Sequence, residues 1–371
     1  MRVLQSIWSL ASENGGPTRS TIGLSKSLAQ AGVDVVLISH VPKMVSDADK
    51  NKLKQSGVYF CEGKGNGFFV ALSDSRRLLD KLKPDIVHLQ GLWKMSTHAM
   101  AVAAREHNIP VVISPRGMLD PWALSVKKWK KRLGMLLYQK RDLKCSAAFH
   151  AASQSEAKHI RDFGFRQPIA TIPNGVEIPD AQRKSKKQGE LRTALFLSRL
   201  HHGKGLLLLA EAWSLVAPKG WKMVVVGPDE GGHRREVERR LEELEIANDW
   251  YFVGEVKDAD KWSYYSSADL FIHPSASENF GISIAEALAS GVPVITTKGC
   301  PWQEVEGRCG WWIERRVDAL ASTLREAMLL PDAARIQMGM KGRSLIKEKC
   351  SWLSIANQMM TFYNNLICFG R

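Results

Sequence analysis

Two glutamates with seven residues between them, Glu278 and Glu286, stand in HPSASENFGISIAEALASGVPVITT (273–297), the stretch richest in chemical information. A strand pattern ends at Pro274, a small-residue loop follows, and Phe280-Gly281-Ile282-Ser283 opens a helix that closes at Gly291-Val292-Pro293. Gly281 lets the backbone approach a ligand closely, and the free N–H groups at a helix start suit an anion. Glu278, just before the helix, can point over a ligand, while Glu286, inside it, reaches along from below. A carboxylate accepts two hydrogen bonds from sugar hydroxyls, each charged bond contributing roughly 1.5–3 kcal/mol. Taken singly, the pair also reads as a helix-start charge and a solvated helix residue. Glu286 argues against that, because it sits among Ile284, Ala285, Ala287 and Leu288, where a solvated face is unexpected.

A second cluster, SRLHHGKGLLLLAEAW (198–213), puts Arg199, Lys204 and Gly205 in a loop between a strand and a helix, a set suited to a diphosphate. A third, Glu13-Asn14-Gly15-Gly16-Pro17, is a glycine turn after the first strand, able to approach a phosphate or sugar. Neither GxGxxG nor GxxxxGK[ST] occurs, which argues against NAD enzymes and P-loop nucleotidases.

These loops need strands to carry them. Apolar runs recur at 33–39, 85–90, 110–114, 169–173, 192–198, 222–227, 250–254, 269–275 and 292–297, most of them separated by segments of helical spacing. Continuous apolar strands alternating with helices predict parallel sheets covered on both faces. The pattern breaks at DAQRKSKKQGE (180–190), which is read as a linker. The expected organisation is a first α/β domain over 1–180, a second over 181–350, and a terminal amphipathic helix over 351–371. The cleft between two doubly wound halves is the default ligand site.

The 371 residues carry 52 Lys and Arg against 38 Asp and Glu, a net charge of +14. Residues 1–180 hold 26 and 15 of these, net +11, and the remainder 26 and 23, net +3. Much of that excess lies in PWALSVKKWKKRLGMLLYQKRDLK (121–144), read as a basic amphipathic helix. Trp122, Val126, Trp129, Leu133, Leu136 and Leu137 share one face of it, and Lys127, Lys128, Lys130, Lys131 and Arg132 crowd the others. Such a helix either packs one face into a core or lies at an anionic membrane surface. Six scattered cysteines without a CxxC pair read as reduced thiols. The absence of a signal peptide or an 18-residue apolar run makes the expected location cytoplasmic, at most peripheral on the inner membrane face.

The Gly15-Gly16 loop, IPNGVE (172–177), Arg199 with Lys204-Gly205, and the paired glutamates of SENFGISIAEALASGVPV together resemble the family 4 retaining glycosyltransferases of the GT-B class. SPRGMLDPWAL (114–124) looks like the bacterial surface-polysaccharide members, and the SW…Y ending looks like the family's closing helix. The resemblance spans nearly the whole chain. It implies two Rossmann-like domains facing a central cleft, with the last helix crossing back to the first domain. It implies a hexosyl transfer with retention from a nucleoside-diphosphate sugar, UDP favoured by family frequency, to a polysaccharide or lipid-linked glycan. On it, Arg199 and Lys204 neutralise the diphosphate, Glu286 binds the ribose, Glu278 the donor sugar, and the Phe280-Gly281-Ile282 backbone the sugar and phosphate. Gly15 and Gly16 approach the diphosphate, Asn174 lines the site, and the loops at Gly227–Gly232 and Gly254–Val256 hold the base.

Many relatives carry a His where this chain has Arg116. Arg cannot act as a base, but it can hold a phosphate or carboxylate. His88 is the remaining first-domain candidate for a polar acceptor contact, against the alternative of a satisfied core histidine. No cofactor or metal is expected: Asp47-Ala-Asp49 and Asp258-Ala-Asp260 mimic a DxD metal motif, but precede helical patterns where Asp caps helix starts. The rival readings are a sugar-nucleotide epimerase of the same fold and a basic nucleic-acid-binding protein. No nucleic-acid motif supports the latter.

Overall fold

The computed structural model describes residues 1–11, 15–41, 45, 47–63, 67–180 and 190–369, apart from the side chains of 47–49, 52 and 369. Contacts divide the chain into two units, Met1–Gly175 with Trp352–Arg371, and Val176–Ser351. The unit boundary thus falls at 175/176; of the polar stretch read as linker, 181–189 lies outside the described residues.

Among the described residues the first unit is built on β1 (Arg2–Ile7), β2 (Asp34–Ser39), β3 (Val58–Glu62), β4 (Ile86–Gln90), β5 (Val111–Ser114), β6 (Ala148–Ala151) and β7 (Ile169–Thr171). They form one parallel sheet in the order β3-β2-β1-β4-β5-β6-β7. Helices cover both faces, so β4 and β5 are buried at every position and read as largely apolar runs, with His88, Gln90 and Ser114 as their buried polar residues. The order reverses between β1 and β4, and the loops after those strands flank this switch point.

The last helix, Trp352–Phe369, belongs to this unit. Ile355, Ala356, Met359 and Tyr363 join Leu24, Leu28 and Val35 in one core cluster. The Trp352 ring occupies the space that side chains at Gly23 and Gly175 would fill, so a Cβ at either would overlap it.

A polar chain runs through the same core. Arg116 Nε donates to Gln90 Oε1 (2.9 Å), Gln90 Nε2 to Gln5 Oε1 (2.7 Å), and Gln5 Nε2 to Tyr363 Oη (3.3 Å). Tyr363 Oη stands 2.6 Å from His88 Nδ1, His88 Nε2 2.7 Å from Ser114 Oγ, Ser114 Oγ 2.8 Å from His150 Nδ1, and His150 Nε2 2.9 Å from the Ile172 carbonyl. Burial, reinforced by neighbouring His150 and the Arg116 charge, pushes His88 well below the ordinary histidine range; burial, with Arg116, pushes His150 down to about 3. Both rings are therefore neutral. One proton assignment then satisfies every link, with each donor passing its hydrogen one step toward Ile172. Tyr363→Phe removes the donor to His88 Nδ1 and should cost roughly 1–3 kcal/mol for the orphaned buried acceptor. A lower urea midpoint with an unchanged m-value would show it.

Segment 121–144 is not the single helix its periodicity predicts. Helix Pro121–Ser125 stops where Val126 is extended and Lys127 is left-handed (φ 52°). Helix Lys128–Gly134, a π-helical turn Met135–Gln139 and helix Lys140–Lys144 follow. The six residues of its expected apolar face are not in a core: Trp129 is 79% exposed and Leu136 80%, and Trp122, Val126, Leu133 and Leu137 are exposed as well, whereas Leu143 is buried and Met135 packs against the first unit's core.

The second unit carries β8 (Arg192–Leu197), β9 (Trp221–Val226), β10 (Trp250–Gly254), β11 (Leu270–His273), β12 (Val294–Thr297) and β13 (Gly310–Ile313). They form a parallel sheet in the order β10-β9-β8-β11-β12-β13, again among the described residues. Its switch point lies between β8 and β11, the two strands that end in the Arg199–Lys204 and Glu278 loops.

Candidate functional site

The loops after β8 and β11 are pinned together. Gly205 is left-handed (φ 83°), and a Cβ there would overlap the Pro274 carbonyl. The Ala276 N–H donates to Gly203 O (2.8 Å), and Ser275 Oγ donates to the same carbonyl (3.2 Å). This brings Lys204 Nζ to 2.5 Å from Glu278 Oε1, and His273 Nε2 to 2.7 Å from the same oxygen. The two charged side chains are only 16% and 15% exposed. Burial alone would raise the Glu278 pKa, but the Lys204 ammonium and His273 outweigh it and hold the carboxyl down at about 2. Glu278 is ionised and already paired.

Helix Ile282–Ala289 begins at left-handed Gly281 (φ 82°). The Phe280 carbonyl accepts Trp302 Nε1–H at 2.5 Å, and the Gly281 carbonyl accepts the N–H groups of Ile284 and Ala285. That leaves the N–H groups of Ile282 and Ser283, at the head of the helix, without an acceptor inside it and able to receive an anion.

Glu286 is not a solvated helix residue. Its carboxylate is 6% exposed, with Oε1 2.6 Å from Lys261 Nζ and Oε2 accepting from Tyr265 Oη at 3.0 Å. It forms a buried ion pair beneath the helix, where a counter-ion and hydrogen bonds must offset the cost of burying the charge. Lys261 and Tyr265 escaped the sequence reading. Their i, i+4 spacing on one face of helix Lys261–Ser267 was the available signal. In the nearby DxD mimic, Asp258 lies 3.4 Å from Lys261, and Asp260 occupies the N-cap without the side-chain cap bond expected of it. The other mimic, Asp47 to Asp49, opens helix Asp47–Gln55, and its side chains lie outside those described.

Arg199 is exposed and paired elsewhere, with Nη1 2.8 Å from Glu230 Oε2. Gly227 lies so close to the Ser198 carbonyl that a Cβ would overlap it, and its N–H donates to the Gly254 carbonyl (2.8 Å). Gly254 closes β10 with φ 86°, and half-buried Val256 follows. The loops after β8, β9, β10 and β11 thus share the carboxyl edge of one sheet.

In the first unit, Gly15 (φ 61°) caps the helix Gly16–Gln30, and among the described residues no atom lies within 4 Å of a Cβ added to it. Glu13 and Asn14 lie outside the described residues. Arg116 adopts a left-handed backbone (φ 57°) and is buried, with Nη1 donating to Asn174 Oδ1 at 2.7 Å. Burial lowers its pKa, against the raising effect of Glu156. Asn174 therefore holds Arg116. His88 is corrected by the structure: it is 0% exposed and both ring nitrogens are engaged, so it has neither surface nor a free nitrogen for an acceptor.

The family "Glycosyl transferases group 1" matches residues 177–344, and "Glycosyltransferase Family 4" matches 14–178, so the two meet at the boundary between the units. The chain is a family 4 glycosyltransferase. Among similar proteins, alpha-monoglucosyldiacylglycerol synthase of Streptococcus pneumoniae is 26% identical over 57% of this chain and 51% of its own. GDP-mannose-dependent alpha-mannosyltransferase of Corynebacterium glutamicum is 27% identical over 81% of this chain and 72% of its own. The match thus spans about half the length of the streptococcal relative. Among solved structures, Anabaena HepE in complex with UDP and glucose superposes with a TM-score of 0.77 at 19% identity, covering 98% of this chain and 100% of that one. The likeness shows the GT-B fold. Membership of this glycosyltransferase family sets aside the epimerase and nucleic-acid readings. Among the described residues no helix is long and apolar enough to cross a membrane.

Proposed function

We propose that this glycosyltransferase moves a hexosyl group with retention from a nucleoside-diphosphate sugar, UDP-sugar favoured, to a bacterial surface polysaccharide or lipid-linked glycan. The observation carrying the reading is the Lys204–Glu278–His273 group beside the open first turn of helix Ile282–Ala289. Lys204 and the free N–H groups receive the diphosphate, and Arg199 joins them on exchanging Glu230 for phosphate. Glu278 receives the donor-sugar hydroxyls, while the loops at Gly227–Gly232 and Gly254–Val256 hold the base. Glu286, fixed by Lys261 and Tyr265, meets the ribose. The acceptor hydroxyl attacks from the face the phosphate leaves, and the departing phosphate oxygen takes its proton. Lys204 and Arg199 supply the positive charge, so the transfer needs no metal. In the first unit, Arg116 holds an anionic group of donor or acceptor.

The HepE complexes name UDP and the corynebacterial relative names GDP-mannose, so the base is the open choice. Calorimetric titration with UDP, GDP and ADP tests it. Micromolar binding of UDP, lost in Glu286→Ala, is expected, with slow donor hydrolysis releasing sugar of retained configuration. Tighter binding of GDP overturns the UDP assignment, and binding of none overturns the donor site.

The exposed apolar and cationic side chains of 121–144 support a place at the inner membrane face, each basic residue near an anionic surface contributing about 1 kcal/mol. Sedimentation with phosphatidylglycerol vesicles should capture the wild type. Changing Lys127, Lys128, Lys130, Lys131 and Arg132 to Gln should release it, and retained binding would refute the role of this segment.

A further inference from the structure

We propose that His202, His233 and Glu236 form a binding site for one transition-metal ion of the Zn²⁺ type, clamping the Lys204 loop to the helix His233–Glu243. The three residues come from two elements. His202 opens the short 3-10 turn His202–Lys204 after β8, and His233 and Glu236 lie three apart on the first turn of the helix. One ligand atom from each lies within 4.8 Å of the others.

Two of the three ligand spacings, both to Glu236, are those of atoms around a small ion. His233 Nδ1 lies 2.9 Å and His202 Nδ1 3.5 Å from the same Glu236 Oε2. Two atoms each bonded to Zn²⁺ at ~2.0–2.2 Å stand roughly 2.9–3.5 Å apart at angles between square and tetrahedral. The ring centroids of His202 and His233 are 4.2 Å apart. His233 is 1% exposed, and its Nε2 is buried without a partner among the described residues, so the ring commits Nδ1 alone, toward Glu236. His202 is 66% exposed and can swing to complete the set, leaving its open side to water.

Two imidazoles and one carboxylate select Zn²⁺, Co²⁺, Ni²⁺ or Cu²⁺, whereas Mg²⁺ and Ca²⁺ require oxygen-rich sets. The ion is therefore not a partner for a donor diphosphate, and the metal-free transfer proposed above stands or falls independently of it. Its action is mechanical: with Lys204 two residues from His202, a metal bond would restrain the loop carrying that ammonium.

The full chain, stripped with EDTA, is titrated with Co²⁺ and then Zn²⁺. A visible d–d band saturating at one ion per chain, bleached by Zn²⁺, and a rise in Tm with Zn²⁺ are expected. His202→Ala, on an exposed side chain, should weaken Co²⁺ binding by at least about tenfold and abolish the Tm rise, as should Glu236→Gln, since removing even an outer-shell partner costs ~10–100-fold. His201→Ala should keep the band, because His201 Nδ1 accepts the Gly203 N–H at 3.1 Å. No saturable band in the wild type, or an undiminished one in His202→Ala, overturns the site.

Discussion

Glu278→Ala will lower turnover by roughly 10²–10³-fold, the range for losing one preorganised electrostatic contact, while UDP affinity stays level or improves. Glu278 holds Lys204 Nζ at 2.5 Å in a site only about one-sixth exposed, so part of the ammonium's capacity to bind phosphate is spent on the carboxylate. Removing Glu278 frees Lys204 for the diphosphate and deletes the acceptor for the sugar hydroxyls. Lys204→Ala does the reverse: affinity and turnover both fall, and Glu278 remains half-buried with only His273 beside it. Single-turnover rates with nucleotide titrations of both variants separate the effects. Equal and small losses in the two would place the donor elsewhere.

Ending the chain at Ser351 will unfold the first unit, although its sheet lies entirely within 1–175. Ile355, Met359 and Tyr363 are each no more than 2% exposed, packed in the cluster that holds Leu24 and Leu28. Fully burying each contributes ~1.5–3 kcal/mol, so the three together approach the ~5–15 kcal/mol that typically holds a domain folded. The cut also leaves His88 and Gln5 without Tyr363, and exposes the surface that Trp352 covers at Gly23 and Gly175. Limited proteolysis should degrade the first unit of the truncated chain while sparing fragments of the second. A protease-resistant first unit would show that the helix is dispensable. Tyr363→Phe, which keeps the apolar contacts, provides the milder control.

The parallel sheets were legible because strands buried on both faces are rich in consecutive apolar residues, as VVLI of β2 and VVI of β5 show. β3, β6 and β13 were not. They read VYFCE, AFHA and GWWI, where Glu, Ala, His or Gly interrupts the run of large apolar residues, and β3 buries only one of its five positions. Periodicity grouped the apolar residues of 121–144 but could not register the left-handed turn at Lys127, nor whether that face met a core or solvent.

The sequence by itself determined the family and the loops that carry the chemistry, since a glycine turn before a helix and a pair of glutamates at fixed spacing are local properties. Tertiary structure alone decided which polar groups pair. Lys204 meets Glu278 across 74 residues, Lys261 meets Glu286 across 25, and Tyr363 meets His88 across 275. A buried charge or imidazole must find a partner wherever the fold supplies one. That need assigns His88 to the core and leaves Glu278 and Lys204 poised against each other at the sheet edge.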